Sequence, residues 1–337
     1  MSVRDRRSRT AAAITLAAAL TAGTALLLTG CDPDPGSPSG SASGRASGSA
    51  AAPVKSPAPG STGNGTTLNG TAGNGLTISN GTGTVVMDGT TVDFGAVVRD
   101  LAWSPGGAKA AFIDGAGDLV VSNPDGSGRT VVARNPGDQV WSHPAWQVTE
   151  GDPEGIVPKD NLFFAAAVNG STRLERVSAT AVDGTPTVLP LNAGAGQNVQ
   201  PLPQTGNTWP NGGGTAATGT TVYENTGTGE VYIRDDYLRQ MGGALAQGSE
   251  PALSPDGQDV VFVRSVDGHD HIFEETAYAR TARDLTPDAT ADDTEPTWSP
   301  DGSTIAFRTP AGIDTVAVGG GAAVQVSGHV GLPAYRS

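Results

Sequence analysis

Four histidines, one cysteine and a scatter of carboxylates carry whatever reactive chemistry this 337-residue chain has. The histidines are His143, His269, His271 and His329, and His269-Asp270-His271 is the one dense cluster. On a strand, His269 and His271 share a face, and two imidazoles on one face can ligate a metal ion. Asp267-Gly268 precedes them, which is a turn signal, so a solvated hairpin tip is the expected setting. A hydrolase needs a nucleophile with a base, or a metal cluster. No Gly-x-Ser-x-Gly elbow and no His-Glu-x-x-His occurs. No catalytic residue, metal-ligand set or cofactor motif is assigned, and the expectation is a protein that is not an enzyme. The scattered Asp and Glu are expected to serve solubility.

Cys31 is the single cysteine, and its chemistry is set by what precedes it. Arg4, Arg6, Arg7 and Arg9 form a basic head, Ala11–Leu28 is nearly charge-free and apolar, and Leu28-Thr29-Gly30-Cys31 follows. This is the layout of a secretory signal, with basic, apolar and small-residue regions in order. As a spanning helix the run is short and poor, being rich in Ala, Thr and Gly. Residues 1–30 are therefore read as a lipoprotein signal peptide and Cys31 as the lipidation site. With the thiol so used, no disulfide holds the fold. Acyl chains contribute about 0.8 kcal/mol per buried CH₂, so a multiply acylated end holds a membrane stably.

Residues 31–74 are read as a tether. They are Ser, Gly, Ala, Pro and Thr with hardly a large apolar side chain, too little to offset chain entropy. About forty residues of such chain span roughly 35 Å root-mean-square, enough to hold a head off a bilayer. The rest, residues 75–337, is the folded part. Removing the signal region takes away four arginines and one aspartate and moves the net charge from −14 to −17. An acidic head excludes nucleic acid as a partner and disfavours surface attraction to anionic lipid.

The folded part is organised by a repeated phrase. Glu295–Thr309 reads EPTWSPDGSTIAFRT, Glu250–Val263 reads EPALSPDGQDVVFV, and Asp100–Ile113 reads DLAWSPGGAKAAFI. Each is two β-prone runs across a turn in which Pro presets φ, Asp bonds its own backbone and Gly accepts φ > 0. Two such runs form an antiparallel hairpin. Further openings occur at Pro144-Ala145-Trp146, at a degenerate Pro201-Leu202-Pro203, and at Pro333-Ala334-Tyr335. The openings at 101, 144, 201, 251, 296 and 333 stand 37 to 57 residues apart, the length of a four-stranded propeller blade.

The last opening has one strand and needs three. Leu76–Ser79, Thr84–Met87 and Thr91–Phe94 are three strand candidates ahead of the first. The two regions are expected to complete one blade and so close a ring of six, removing exposed sheet edges. The fold class is all-β, a six-bladed β-propeller closed by N- and C-terminal strands and preceded by a disordered linker.

In such a ring the innermost strands line the channel, so equivalent positions form a circle at one end. The residues before the six openings are Asp100, His143, Gln200, Glu250, Glu295 and Leu332. Two readings follow. The polar ones converge as a mouth for a cation or a basic peptide group, or their carboxylates accept backbone N–H bonds and fix the entry to each blade. The inserts Glu150–Lys159 and Gly206–Gly219 distort the repeat most and are expected to shape the partner-facing rim. Trp209 lies in the second.

The phrase is similar to the propeller repeat of the TolB-like family, closely at Glu295–Phe307 and Glu250–Phe262, and at Asp100–Phe112 with Gly106 in place of the aspartate. Asn123–Gly128 resembles the outer hairpin of that repeat. The resemblance implies the fold and little about activity, since the fold hosts binding scaffolds, peptidase-associated propellers and lyases. The amino-terminal α/β domain of periplasmic TolB is not visible in the sequence. The expected function is a lipid-anchored, extracytoplasmic protein-interaction or ligand-binding scaffold at the cell envelope, whose partners are the membrane, through Cys31, and an envelope protein or peptide. The alternative is a peptidase- or lyase-like propeller acting on cell-wall or extracellular polymers.

Overall fold

Runs of four to eight apolar residues cut by Gly, Pro, Asn and Asp leave no length for a helix, and the described residues contain strands and turns. The structure is a computed structural model and describes residues 67–151, 157–193, 201–212, 219–235, 241–276 and 281–337. The signal region, Cys31, the tether up to residue 66, and Gln200 lie outside the described residues.

Six four-stranded antiparallel sheets account for the strands. Blade 1 takes β1 (Leu76–Ser79), β2 (Thr84–Met87) and β3 (Thr90–Asp93) from one end of the chain. Blade 2 is β4 (Arg99–Trp103), β5 (Ala110–Ile113), β6 (Leu119–Ser122) and β7 (Thr130–Ala133). Blade 3 is β8 (Gln139–Thr149), β9 (Lys159–Val168), β10 (Ser171–Ser178) and β11 (Thr187–Val188). Blade 4 is β12 (Asn207–Gly212), β13 (Thr221–Asn225), β14 (Glu230–Arg234) and β15 (Gly242–Gln247). Blade 5 is β16 (Ser249–Leu253), β17 (Asp259–Val266), β18 (His269–Thr276) and β19 (Arg283–Asp284). Blade 6 is β20 (Thr294–Trp298), β21 (Thr304–Thr309), β22 (Gly312–Ala317) and β23 (Val324–Ser327). The last strand, β24 (Leu332–Tyr335), is the inner strand of blade 1 and pairs with β1 in the register Leu76↔Tyr335 to Ser79↔Leu332. The ring closes as the strand count requires.

The core sits between blades. Six clusters of buried apolar side chains fill the six seams, for example Val85, Phe94, Leu101, Trp103 and Phe112 between blades 1 and 2. A middle strand packs on both faces, which is why β1, β5 and β6 are buried at every position, β5 (Ala-Ala-Phe-Ile) as an unbroken apolar run and β1 with Thr77 and Ser79 buried among its apolar residues. The tryptophan of the repeat locks one blade to the one before. Trp298 Nε1 donates to Ala252 O at 3.0 Å, Trp146 Nε1 to Ala102 O at 3.1 Å, and Trp103 Nε1 to Thr77 Oγ1 at 2.9 Å. Blade 4 has Gly212 in that position, where a Cβ would stand 2.2 Å from Trp146 O; the two inner strands approach too closely there for a side chain.

The turns of the phrase are held by their own side chains. In blade 6, Ser299 Oγ donates to Asp301 Oδ1 at 2.6 Å and accepts the Thr304 N–H at 3.0 Å, and Asp301 Oδ1 also accepts the Ser303 N–H. Blade 5 repeats this with Ser254 and Asp256. These donors pull the Asp301 carboxyl down to about 2 and hold Asp256 below its ordinary value.

Two expectations are corrected. The inner strand of blade 4 is Asn207–Gly212; Pro201–Pro203 forms no strand. Counted from the true opening at Pro210, the distance from Pro144 is 66 residues and that to Pro251 is 41, so the extra length belongs to blade 3 alone. The folded head also reaches back into the expected tether. Asn69 bridges Ser327, the Gly70 N–H donates to Val326 O, and Thr71 is fully buried, so residues 68–70 cover the outer edge of β23.

Candidate functional site

Five of the six inner strands carry the same irregularity. Pairing slips between Arg99 and Ala102, Ser142 and Ala145, Thr208 and Asn211, Ser249 and Ala252, and Thr294 and Thr297. The residue that starts each bulge has positive φ although it is not glycine: Asp100 (54°), His143 (51°), Trp209 (51°), Glu250 (51°) and Glu295 (54°). Such residues are uncommon and mark a built feature. In four of the five the next residue is proline, which has no N–H to lose at a break in the ladder. β24 pairs without a slip, and Leu332 makes no bulge.

The bulges put Asp100, His143, Trp209, Glu250 and Glu295 at equivalent places around one end of the ring. Trp209, not Gln200, is the blade 4 member. The X-Pro pair Trp209-Pro210 has the form of His143-Pro144, Glu250-Pro251 and Glu295-Pro296 and was the available signal.

An axial channel of about 390 Å³ opens at this end and is lined there by Asp100, His143, Trp209 and Leu332. Deeper, Trp103, Trp146, Trp298 and Tyr335 form the wall, and the turns at Pro105, Pro255 and Pro300 frame the other end. Glu250 and Glu295 do not line the channel. Their carboxylates turn along the ring, so the acidic residues do not all converge on one point.

The blade-entry reading describes most of them. Asp100 Oδ2 accepts the His143 N–H at 3.0 Å, and Glu250 Oε2 accepts the Glu295 N–H at 2.6 Å. Glu224, on β13, accepts the Glu250 N–H at 2.6 Å and does for blade 4 what Trp209 cannot. Each link spans a seam and satisfies a backbone donor freed by a bulge. Glu295 Oε1 pairs with Arg308 at 2.9 Å, while its buried Oε2 has no partner among the described residues. His143 stacks on Trp209 with ring centroids 3.8 Å apart and tilted by 33°, and its buried Nδ1 has no partner among the described residues.

The electrostatics follow from burial. Desolvation pushes Glu295 up to about 7; Arg308 opposes this, and Glu250 and Asp100 add to it. Glu250 is raised chiefly by burial, then by Glu224, against the Glu295 N–H and Arg308. Burial also raises Glu224 and lowers His143, which Asp100 partly offsets. The mouth is therefore a neutral imidazole on an indole, beside one channel-facing carboxylate backed by a girdle of buried ones. It suits a peptide segment with aromatic or cationic side chains. Glu224 and Arg308 were missed by sequence reasoning because each sits on a second strand, where nothing in the repeat marks it.

His269 and His271 are not brought to a common ligand. His271 is 5 % exposed and its Nδ1 lies 2.9 Å from Asp284 Oδ2, so it is buried rather than at a solvated tip. His269 is exposed, with Nδ1 3.8 Å from Asp292. Among the described residues no group of three or more His, Cys, Asp or Glu is arranged to hold a metal ion.

No family model matches the sequence, and no curated protein matches it. Solved structures do. The chain is similar to TolB from Acinetobacter baumannii, at 16 % identity and a TM-score of 0.54, over 77 % of this chain and 65 % of that one. It is similar to a putative TolB from Agrobacterium tumefaciens, at 17 % identity and a TM-score of 0.50, over 76 % of this chain and 89 % of that one. It is also similar to a chain of a nidogen–laminin complex, at 10 % identity and a TM-score of 0.53, over 78 % of this chain and 98 % of that one. The chain thus spans less than two thirds of the length of the Acinetobacter protein. The architecture is that of the TolB propellers.

Proposed function

We propose that this protein is an extracytoplasmic scaffold that binds a protein partner at the channel mouth formed by Asp100, His143 and Trp209. The observation that carries the reading is that mouth. Trp209 and His143 stack at the rim of an open channel instead of completing the carboxylate links found at other seams. Central aromatic anchors of this kind dominate protein interfaces. The fold supports the reading, since one structure that shares it is a complex of nidogen with laminin. The basic head, the apolar stretch and Leu28-Thr29-Gly30-Cys31 support a lipid anchor on Cys31 at the cell envelope. No catalytic step is proposed.

Cross-linking in membranes followed by purification of the lipidated chain tests both parts. One envelope protein should be enriched with the wild type and with Val188→Ser, an exposed change on an outer strand, and lost with Trp209→Ala. Equal recovery with Trp209→Ala would remove the mouth as the binding surface. Cys31→Ser should shift the chain from the membrane to the soluble fraction; a variant that stays on the membrane contradicts the anchor.

A further inference from the structure

A second cleft, of about 510 Å³, lies in the seam between blades 5 and 6 and shares no lining residue with the channel. It is built by the segment that crosses from β19 back to the inner strand β20. Leu285 and Phe307, both buried, lie at its base, and its walls are short side chains such as Ala289, Ala311 and Ala322. Three carboxylates line it, Asp288, Asp293 and Asp314, of which Asp288 is exposed. Asp293 is 7 % exposed and is hydrogen-bonded by the Thr286 hydroxyl, which itself accepts the Ile272 N–H at 3.0 Å. Asp314 is half-buried and, among the described residues, has no side-chain hydrogen bond or ion pair.

Among the described residues no cation is paired with Asp293 or Asp314. His271 is held by Asp284 at 2.9 Å, Arg308 by Glu295 at 2.9 Å, and Arg283 by Glu274 and Val318 O. The groups that face Asp293 are His271 on β18, Asp284 on β19, Asp314 on β22 and the Thr286 hydroxyl. Burial, with Asp314 and Asp284 adding to it, pushes Asp293 up to about 6. Two poorly solvated carboxylates in a cleft of ligand size, walled by Leu285, Phe307 and alanines together with threonines, and paired with no cation among the described residues, are complementary to a charged donor that carries an apolar body.

We propose that this cleft is a binding site for an organic amine, with the ammonium group between Asp293 and Asp314 and the apolar body against the alanine-lined walls. The channel mouth takes no part in it.

Calorimetric titration of the full-length chain in detergent with hexylamine, hexanol and hexanoate tests this. Hexylamine should bind and hexanoate should not, and hexanol should bind about tenfold more weakly or worse, because it lacks the charge-assisted donor. Affinity for hexylamine should rise by up to about tenfold between about pH 5 and about pH 7.5, with proton release near pH 6, as Asp293 ionises. Asp314→Asn, which loses no hydrogen bond, should keep the fold and reduce hexylamine affinity about tenfold. Trp209→Ala should leave hexylamine binding unchanged. Equal binding of hexylamine and hexanol, no binding of either by the wild type, or binding that Asp314→Asn leaves intact overturns the proposal.

Discussion

Replacing Trp298 by alanine should destabilise the protein by about 3–5 kcal/mol, a large part of the 5–15 kcal/mol that holds a typical domain. Trp298 is 7 % exposed and packs in the seam between blades 5 and 6 with Ala252, Val261, Leu285, Ile305 and Phe307. Its loss empties the largest side chain of that cluster. It also leaves Ala252 O without the indole N–H that reaches it at 3.0 Å. Trp298→Phe separates the two effects. A ring is kept and the hydrogen bond is lost, so the cost should fall to about 1–3 kcal/mol. Denaturant unfolding checks both, with a lower midpoint and an unchanged slope for each variant. A loss under about 1 kcal/mol for Trp298→Ala would mean that the seam does not carry the core.

The second large effect is with pH, and its sign runs against habit for an acidic protein. Glu295 is raised from 4.5 to about 7 and Asp293 from 3.8 to about 6, both chiefly by burial. A carboxyl raised in the fold stabilises below its unfolded value and loses that contribution as pH rises through the folded one. The stability from these two groups is therefore full below about pH 4 and declines up to about pH 7, by a few kcal/mol at about 1.4 kcal/mol per unit. Glu224, Glu250 and Asp314, also raised by burial, act in the same direction. Asp301, drawn down to about 2 by Ser299 and Ser303, acts oppositely and loses its contribution as pH falls from about 4 toward 2. His143, lowered by burial, also costs stability as pH falls below about 6.5. The carboxyls outnumber it, so melting temperature should be higher near pH 5 than near pH 8. Glu295→Gln, which needs no charge, should flatten that decline. A profile that rises steadily from pH 5 to pH 8, or one that Glu295→Gln leaves unchanged, contradicts the buried girdle.

The architecture was legible because the repeat is carried by residues with a steric reason to recur. Proline in the bulge, aspartate and glycine in the turn and tryptophan in the seam each solve the same local problem in several blades. Blade 4 escaped because it solves those problems differently. Gly212 replaces the seam tryptophan, Asn211 Oδ1 accepts the Leu253 N–H at 3.0 Å, and Trp209 takes the bulge position; Pro201-Leu202-Pro203 then looked more like an opening than Trp209-Pro210 did. The mouth was legible only as a circle of positions. That Asp100 and Glu250 reach along the ring to the next backbone N–H, and that Glu224 substitutes for one of them, depends on side-chain direction within a bulge. No spacing in the sequence encodes that direction. His271 was misread because its setting depends on β19, a two-residue strand with no pattern of its own.

All of this rests on six seams around a closed ring, and the ring is closed by the pairing of β24 with β1 inside blade 1. Amide hydrogen exchange in the native protein tests it most directly. The amides of Thr77–Ser79 and of Ala334–Tyr335 should exchange together and as slowly as those of β5 and β17, since opening that pair opens the ring. Fast exchange at Ala334–Tyr335, with β5 and β17 still protected, would contradict closure and the circular mouth built on it.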